Sequence, residues 1–167
     1  WPQADFIVGN PPFIGAGSMR ASLGDGYVEA LRRAWPQIPE SVDFVMYWWQ
    51  RAADQVRQGS ARRFGLITTN SLRQTFNRRV VQAQQTATPP LQLAFVIPDH
   101  PWVDSAQGAA VRIAMSAGTL DEGDGVLMSV IDESSGPDGE VSVQLDLRRG
   151  KIHSDLRVGA NVAAAQR

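Results

Sequence analysis

The sequence predicts an α/β fold, a mostly parallel sheet with helices packed on it and an antiparallel late strand. Two observations predict it. Short β-branched and aromatic runs alternate with stretches of three- and four-residue apolar spacing in a βαβαβ rhythm, and the last runs follow one another like a hairpin. With 167 residues, 43% of them hydrophobic, the chain has material for one core. No apolar run approaches the roughly 20 residues needed to cross a bilayer, so no membrane partner is expected.

Asp5 to Gly9 reads as a short strand that must stop at Asn10, because Pro11 and Pro12 offer no ladder donor. Residues 14–40, rich in Gly, Ser and Pro, are expected to form a long loop with one short helix at Tyr27 to Trp35. Ser41 or Asp43 can cap the next helix, in which Val42, Val45, Trp49, Ala52 and Val56 share one face before Gly59 ends it. Phe64 to Thr69 suits a buried strand closing on Asn70 and Ser71. Leu72 to Gln85 suits a helix, Pro89 and Pro90 break the chain, and Leu91 to Ile97 suits a third strand. After Pro98 a polar loop carrying Trp102 leads to a fourth strand, Ala109 to Ala117. Residues 118–140 read as an acidic, Gly-rich excursion, 141–152 as a polar strand or hairpin, and His153 onward as an exposed tail or the start of another domain.

The chain has no cysteine, which excludes disulfides and thiolate metal sites, and His100 and His153 are too few for a histidine cluster. No metal is expected, and a cytoplasmic location fits. Net charge is -1, but seven arginines from Arg51 to Arg79 stand against one acid, Asp54. Asp121 to Glu140 carries acids and no base. The basic stretch suits either nucleic-acid phosphates or a solvated helix face. A hydrolase triad is disfavoured, since no Gly-x-Ser-x-Gly elbow surrounds Ser71 and the adjacent Asp99 and His100 cannot easily orient one another.

In an open parallel sheet the ligand site lies beyond the carboxyl ends of the strands, where Asn10-Pro11-Pro12-Phe13 sits. The amino group of a nucleobase is a poor nucleophile because its lone pair is delocalised into the ring. Two acceptors around the nitrogen draw that pair back. The Asn10 side-chain oxygen and the Pro11 carbonyl are candidates for them. The prolines stiffen the carbonyl direction, and Phe13 offers a π-face to an extruded base. As a bare pattern Asn-Pro-Pro is also an ordinary strand-ending turn with Phe13 in the core.

The whole string Asp5-Phe-Ile-Val-Gly-Asn-Pro-Pro-Phe13, followed by a loop, by Ser41-Val-Asp-Phe-Val-Met-Tyr-Trp-Trp49 and by Phe64-Gly-Leu-Ile-Thr-Thr-Asn-Ser-Leu72, resembles the amino-methyltransferases that modify adenine in DNA. Large methylases of restriction-modification or phage-defence systems are most similar, and the likeness runs from about Ala4 to Gly118. It implies a Rossmann-like sheet, S-adenosylmethionine as methyl donor and DNA with a flipped adenine as partner. By that resemblance Asn10 and Pro11 accept from the target amino group, Pro12 holds the turn and Phe13 stacks on the base. Asn70, at the polar strand end, is a further candidate substrate contact. Pro101-Trp102 followed by Ala109-Ala110-Val111 resembles the segment that adds a second aromatic, Trp102, to the base pocket. A Pro-Trp can equally anchor a loop on the core.

One departure matters. The family's glycine-rich strand-to-helix turn and ribose-binding acid do not precede Asn10; Gly15-Ala-Gly17 follows it and lacks the remaining spacing. The sheet is therefore expected to be incomplete at the N-terminus, with the main glycine-rich cofactor site absent and Asn10 the candidate cofactor contact that remains, and the chain inactive alone. Its expected partners are an N-terminal cofactor-binding segment and a downstream target-recognition domain of one parent. The expected division is 1–118 catalytic, 119–152 acidic loop and polar hairpin, and 153–167 tail. Competing readings are an amino-methyltransferase acting on cytosine or protein glutamine, and a non-catalytic nucleic-acid-binding module.

Overall fold

A computed structural model of the chain describes residues 1–102, 111–135 and 141–159. Strand β1 (Phe6–Gly9) stops at Asn10 as the prolines require. The expected loop of residues 14–40 is more ordered than its composition suggests. It holds a 3-10 turn at Ala16–Ser18, helix α1 (Met19–Leu23) and helix α2 (Asp25–Ala34), whose Met19 and Val28 reach the core.

Helix α3 (Val45–Arg57) buries the face anticipated from its spacing, with Val45, Trp49, Ala52 and Val56 inside. It starts later than expected, with Phe44 at the cap position and no side-chain cap bond, so Asp43 is not a helix cap. Strand β2 (Arg63–Thr69) runs into a 3-10 turn at Asn70–Arg73, and helix α4 spans Thr75–Thr86. The Trp49 indole meets the Phe64 ring edge-on at 5.3 Å and donates to Ser116 Oγ at 3.1 Å. Opposite Phe64 lies Gly118, where an added Cβ would stand 2.3 Å from that ring. The glycine makes room for the aromatic that α3 packs upon.

Strand β3 (Gln92–Trp102) continues past the expected stop at Ile97. Its register shifts between Ile97 and His100, and this irregularity takes up Pro98, which has no N–H to give a regular ladder. Trp102 is consequently on a strand rather than in a loop. Strand β4 (Val111–Thr119) follows; Ala109 and Ala110, expected at its start, lie outside the described residues. The supposed acidic excursion contains β5 (Gly125–Ser135), paired with β6 (Val141–Gly150). The segment from His153, expected as an exposed tail or the start of another domain, folds back as far as Gly159: Leu156 is buried and Val158 bridges the buried Ile152, whose carbonyl accepts from Gln85 Nε2 at 2.8 Å. Residues 160–167 lie outside the described residues.

The sheet order is β1-β2-β4-β3-β5-β6. β1 pairs parallel with β2 and β3 with β5, whereas β4 is antiparallel to β2 and β3, and β6 to β5. The sheet is thus mixed, not mostly parallel. Returning in the same direction takes a long crossover, usually a helix, and α3 and α4 supply it for β2 and β3. After β3 no helix intervenes among the described residues, so each later strand reverses the one before it. The antiparallel late strand anticipated from sequence is β4.

Candidate active site

Because β1, β2 and β3 point the same way, their carboxyl ends meet along one edge of the sheet, together with the start of β4. Gly9 faces Leu66, so β2 continues through Thr69 beyond the point where β1 stops. Thr69 and His100 both lie opposite Ile113, and Trp102 lies opposite Val111. This edge carries Asn10 to Phe13, Asn70, Ser71, Asp99 and Trp102.

At the turn, Asn10 and Pro12 are exposed, Pro11 is buried, and Phe13 is partly buried against the core cluster. Asn10 and Pro12 border an open groove of about 460 Å³ along β1, whose walls include Trp1, Phe6, Val8 and Trp48. The lining is apolar and contains no carboxylate.

Behind the turn lies a polar hub that sequence reasoning missed. One Asp43 oxygen accepts from the Ala16 N–H at 3.0 Å; the other accepts from Ser71 Oγ at 2.6 Å and Asn77 Nδ2 at 2.8 Å. The Asp43 N–H donates to Asn77 Oδ1 at 3.0 Å, and the Phe44 N–H to Ile14 O at 2.9 Å. Three segments distant in sequence are joined: the chain leaving the Asn10 turn, the end of β2 and the first turn of α4. The only signal in the sequence was an acid ahead of an aromatic helix, which equally suits a cap.

The second cluster gathers around Asp99. It accepts from Asn70 Nδ2 at 3.3 Å, Arg73 at 3.4 Å and Arg112 Nε at 2.5 Å, and Arg112 also reaches Glu133 at 2.7 Å. Hydrogen bonds to Glu133 and Asp99 hold the Arg112 guanidinium above its ordinary pKa, and Arg112 holds the Glu133 carboxyl below its own. Asn70 therefore spends a donor on Asp99. Trp102, 37% exposed, lies at the far tip of β3. β2 and β4 separate β3 from β1, and its tip also lies further along the strand direction, since Gly9 is level with Leu66 and Ser116 whereas Trp102 is opposite Val111.

The basic stretch does not form one face. Arg57 bonds Gln84 and the carbonyls of Thr88 and Pro89, Arg63 pairs with Asp121, and Arg73 with Asp99. Towards the site end of α4, Arg79 lies over the ring of Phe76 at 5.5 Å, and both are exposed.

A family match defines the class of the chain as a methyltransferase domain. The chain belongs to the MmeI DNA-methyltransferase domain family, which it matches over residues 2–123. Among solved structures, the type IIL restriction-modification enzyme MmeI in complex with DNA superimposes with a TM-score of 0.72 at 20% identity, over 93% of this chain and 20% of that one. A modification subunit assigned to a type I restriction enzyme from Vibrio vulnificus YJ016 superimposes with a TM-score of 0.55 at 15% identity, over 83% of this chain and 27% of that one. This chain thus spans about a fifth to a quarter of the structures it resembles. No curated protein matches it significantly.

Proposed function

We propose that this chain is the catalytic part of a larger enzyme, of restriction-modification type, that transfers a methyl group from S-adenosylmethionine to the exocyclic amino group of adenine in DNA. The observation that carries the reading is the Asn10-Pro11-Pro12-Phe13 turn at the carboxyl end of β1, exposed on an apolar groove, in a chain of a DNA-methyltransferase family. The cofactor supplies an electrophilic methyl carbon on a sulfonium. The groove suits that end of it, whereas the groove's lack of a carboxylate leaves the ribose hydroxyls to be held from beyond these residues.

The chemistry of the chain's own groups follows. The Asn10 side-chain oxygen and the Pro11 carbonyl accept the two amino hydrogens, which pulls the lone pair onto nitrogen as positive charge develops there. Once bound, the cofactor would supply the methyl carbon and leave as the neutral thioether, and the nitrogen would give up one proton to solvent. Phe13 stacks on the base, and its seat against the core fixes the ring. Trp102 and Asn70 border the approach of the DNA, and the exposed Phe76 and Arg79 of α4 offer a stacking face and a cation to its backbone.

The test is methyl transfer from labelled S-adenosylmethionine to mixed-sequence DNA by the full-length enzyme, with Asn10→Ala beside it. Asn10→Ala is expected to lower kcat by about 10²–10³-fold, the usual cost of one lost charge-stabilising group, while cofactor binding persists. Label appearing on cytosine or on protein would move the reading to those amide-like acceptors. Label that survives Asn10→Ala would reduce the motif to a structural turn.

A further inference from the structure

We infer that Asp43 is a positioning residue for the Asn10 to Phe13 turn, tethering the chain that leaves the turn to the end of β2 and to α4. The inference rests on the methyl-transfer reading above.

The prolines set φ at two positions of the turn, but Asn10 and Pro12 are exposed and have little packed around them. Its downstream hold comes from Ile14 O, bonded by Phe44 N–H, and from the Ala16 N–H, bonded by Asp43. Asp43 is itself fixed from the other side. Asn77 is 4% exposed and uses both ends of its amide: Oδ1 accepts the Asp43 N–H, while Nδ2 serves Asp43 and the carbonyl of Ser71 at 3.1 Å.

The hub has one polarity. Ser71 has a single hydroxyl proton and gives it to the carboxylate, so the Thr69 hydroxyl must donate to Ser71 Oγ, 2.5 Å away. The Asp43 carboxylate thus takes three donors, the Ala16 N–H, Ser71 Oγ and Asn77 Nδ2, and charge-assisted bonds of this kind are the strong ones. An amide at position 43 keeps the acceptor for Ala16 but sets its NH₂ against that of Asn77. The bonds span 27 to 34 residues; the one from the Ala16 N–H ends on the loop of the motif and the one to Asn77 on α4, whereas α3 takes no cap from Asp43. Its carboxylate acts on the loop, and its loss should misplace the two acceptors by a fraction of an ångström without touching the groups that bind DNA or cofactor.

The experiment uses the full-length enzyme carrying this chain, as wild type, Asp43→Asn and the double variant Asp43→Asn with Asn77→Asp, which reverses donor and acceptor across the pair. Steady-state methylation and amide hydrogen exchange of residues 10–16 are measured together. Asp43→Asn is expected to lower kcat on the order of 100-fold, with KM for DNA and for S-adenosylmethionine held within about twofold, and to speed exchange of that segment. The double variant is expected to recover both in part, because a carboxylate at position 77 accepts from the new amide at position 43 but sets an oxygen against the Ser71 carbonyl that Asn77 Nδ2 otherwise meets. Unchanged kcat and exchange in Asp43→Asn, or a loss that follows melting temperature and is not recovered, overturns the inference. Should the wild type methylate nothing while exchange still loosens and recovers as described, the methyl-transfer reading fails and the tether stands.

Discussion

Asn10 and Asp43 are proposed to do different kinds of work, and the difference explains why one proposal could be drawn from the sequence and the other could not. The chemistry of Asn10 travels with its immediate neighbours, two prolines and an aromatic at a strand end, and that string is visible in sequence. Asp43 acquires its function from Ala16, Ser71 and Asn77, which only folding brings near. Gly118 is of the second kind too. Its replacement by Ala forces a Cβ into the Phe64 ring, so Gly118→Ala is expected to destabilise the domain by about 1–3 kcal/mol, measured as a fall in melting temperature. The Arg112–Glu133 pair predicts a pH effect of definite sign. Glu133 has a folded pKa below its ordinary value of 4.5, so the pair stabilises the fold above that pH and the contribution vanishes as pH falls through the lowered value. The gap in melting temperature between wild type and Arg112→Gln should accordingly be present at pH 7 and close below pH 4.5. Both side chains are more than a third exposed, so added salt should shrink it.

At the scale of elements, α3 was readable because a helix of 13 residues with one apolar face has a strong period. Of the small helices before it, α2 was legible as the short helix expected at Tyr27 to Trp35, whereas α1, five residues beside glycines, carries little of that signal. β3 was cut short in the reading because Pro98 is a poor central-strand residue, and a register irregularity removes that objection. The same irregularity delivers Asp99 to Asn70 and Arg112. Helix α4 carries arginines and no acid, with Phe76 and Arg79 exposed near its first turn. If this face meets the DNA backbone, replacing Arg78 and Arg79 with Ala lowers affinity equally for all sequences. The slope of log K against log salt should fall by roughly 0.9 for each phosphate that is no longer neutralised. A change confined to one DNA sequence would instead assign these arginines to base reading.

At the scale of the whole molecule, the sheet among the described residues ends at β1, which shows Phe6 at 59% and Val8 at 85% exposure. An apolar edge strand with unpaired backbone groups recruits other strands. The isolated 167-residue chain is therefore expected to self-associate in sedimentation experiments, and Val8→Lys to shift it towards monomer; an unchanged distribution would show that this edge is inert. The order β1-β2-β4-β3 is also a property of the whole. It lines up three strand ends along one edge, and it seats β4, late in the chain, between strands formed earlier.

The sequence by itself determined the α/β class, the helix that packs on the sheet and the strand stop at Asn10. Each of these follows from residues within a few positions of one another, through proline's missing donor or a repeating apolar period. Only the tertiary structure decided that the sheet is mixed, that residues 125–135 form a strand, that Ile152 and Leu156 belong to the core, and that Asp43 serves the loop rather than its own helix. Those outcomes depend on which distant groups satisfy one another's hydrogen bonds and fill one another's volume, and no local pattern in the chain encodes that pairing.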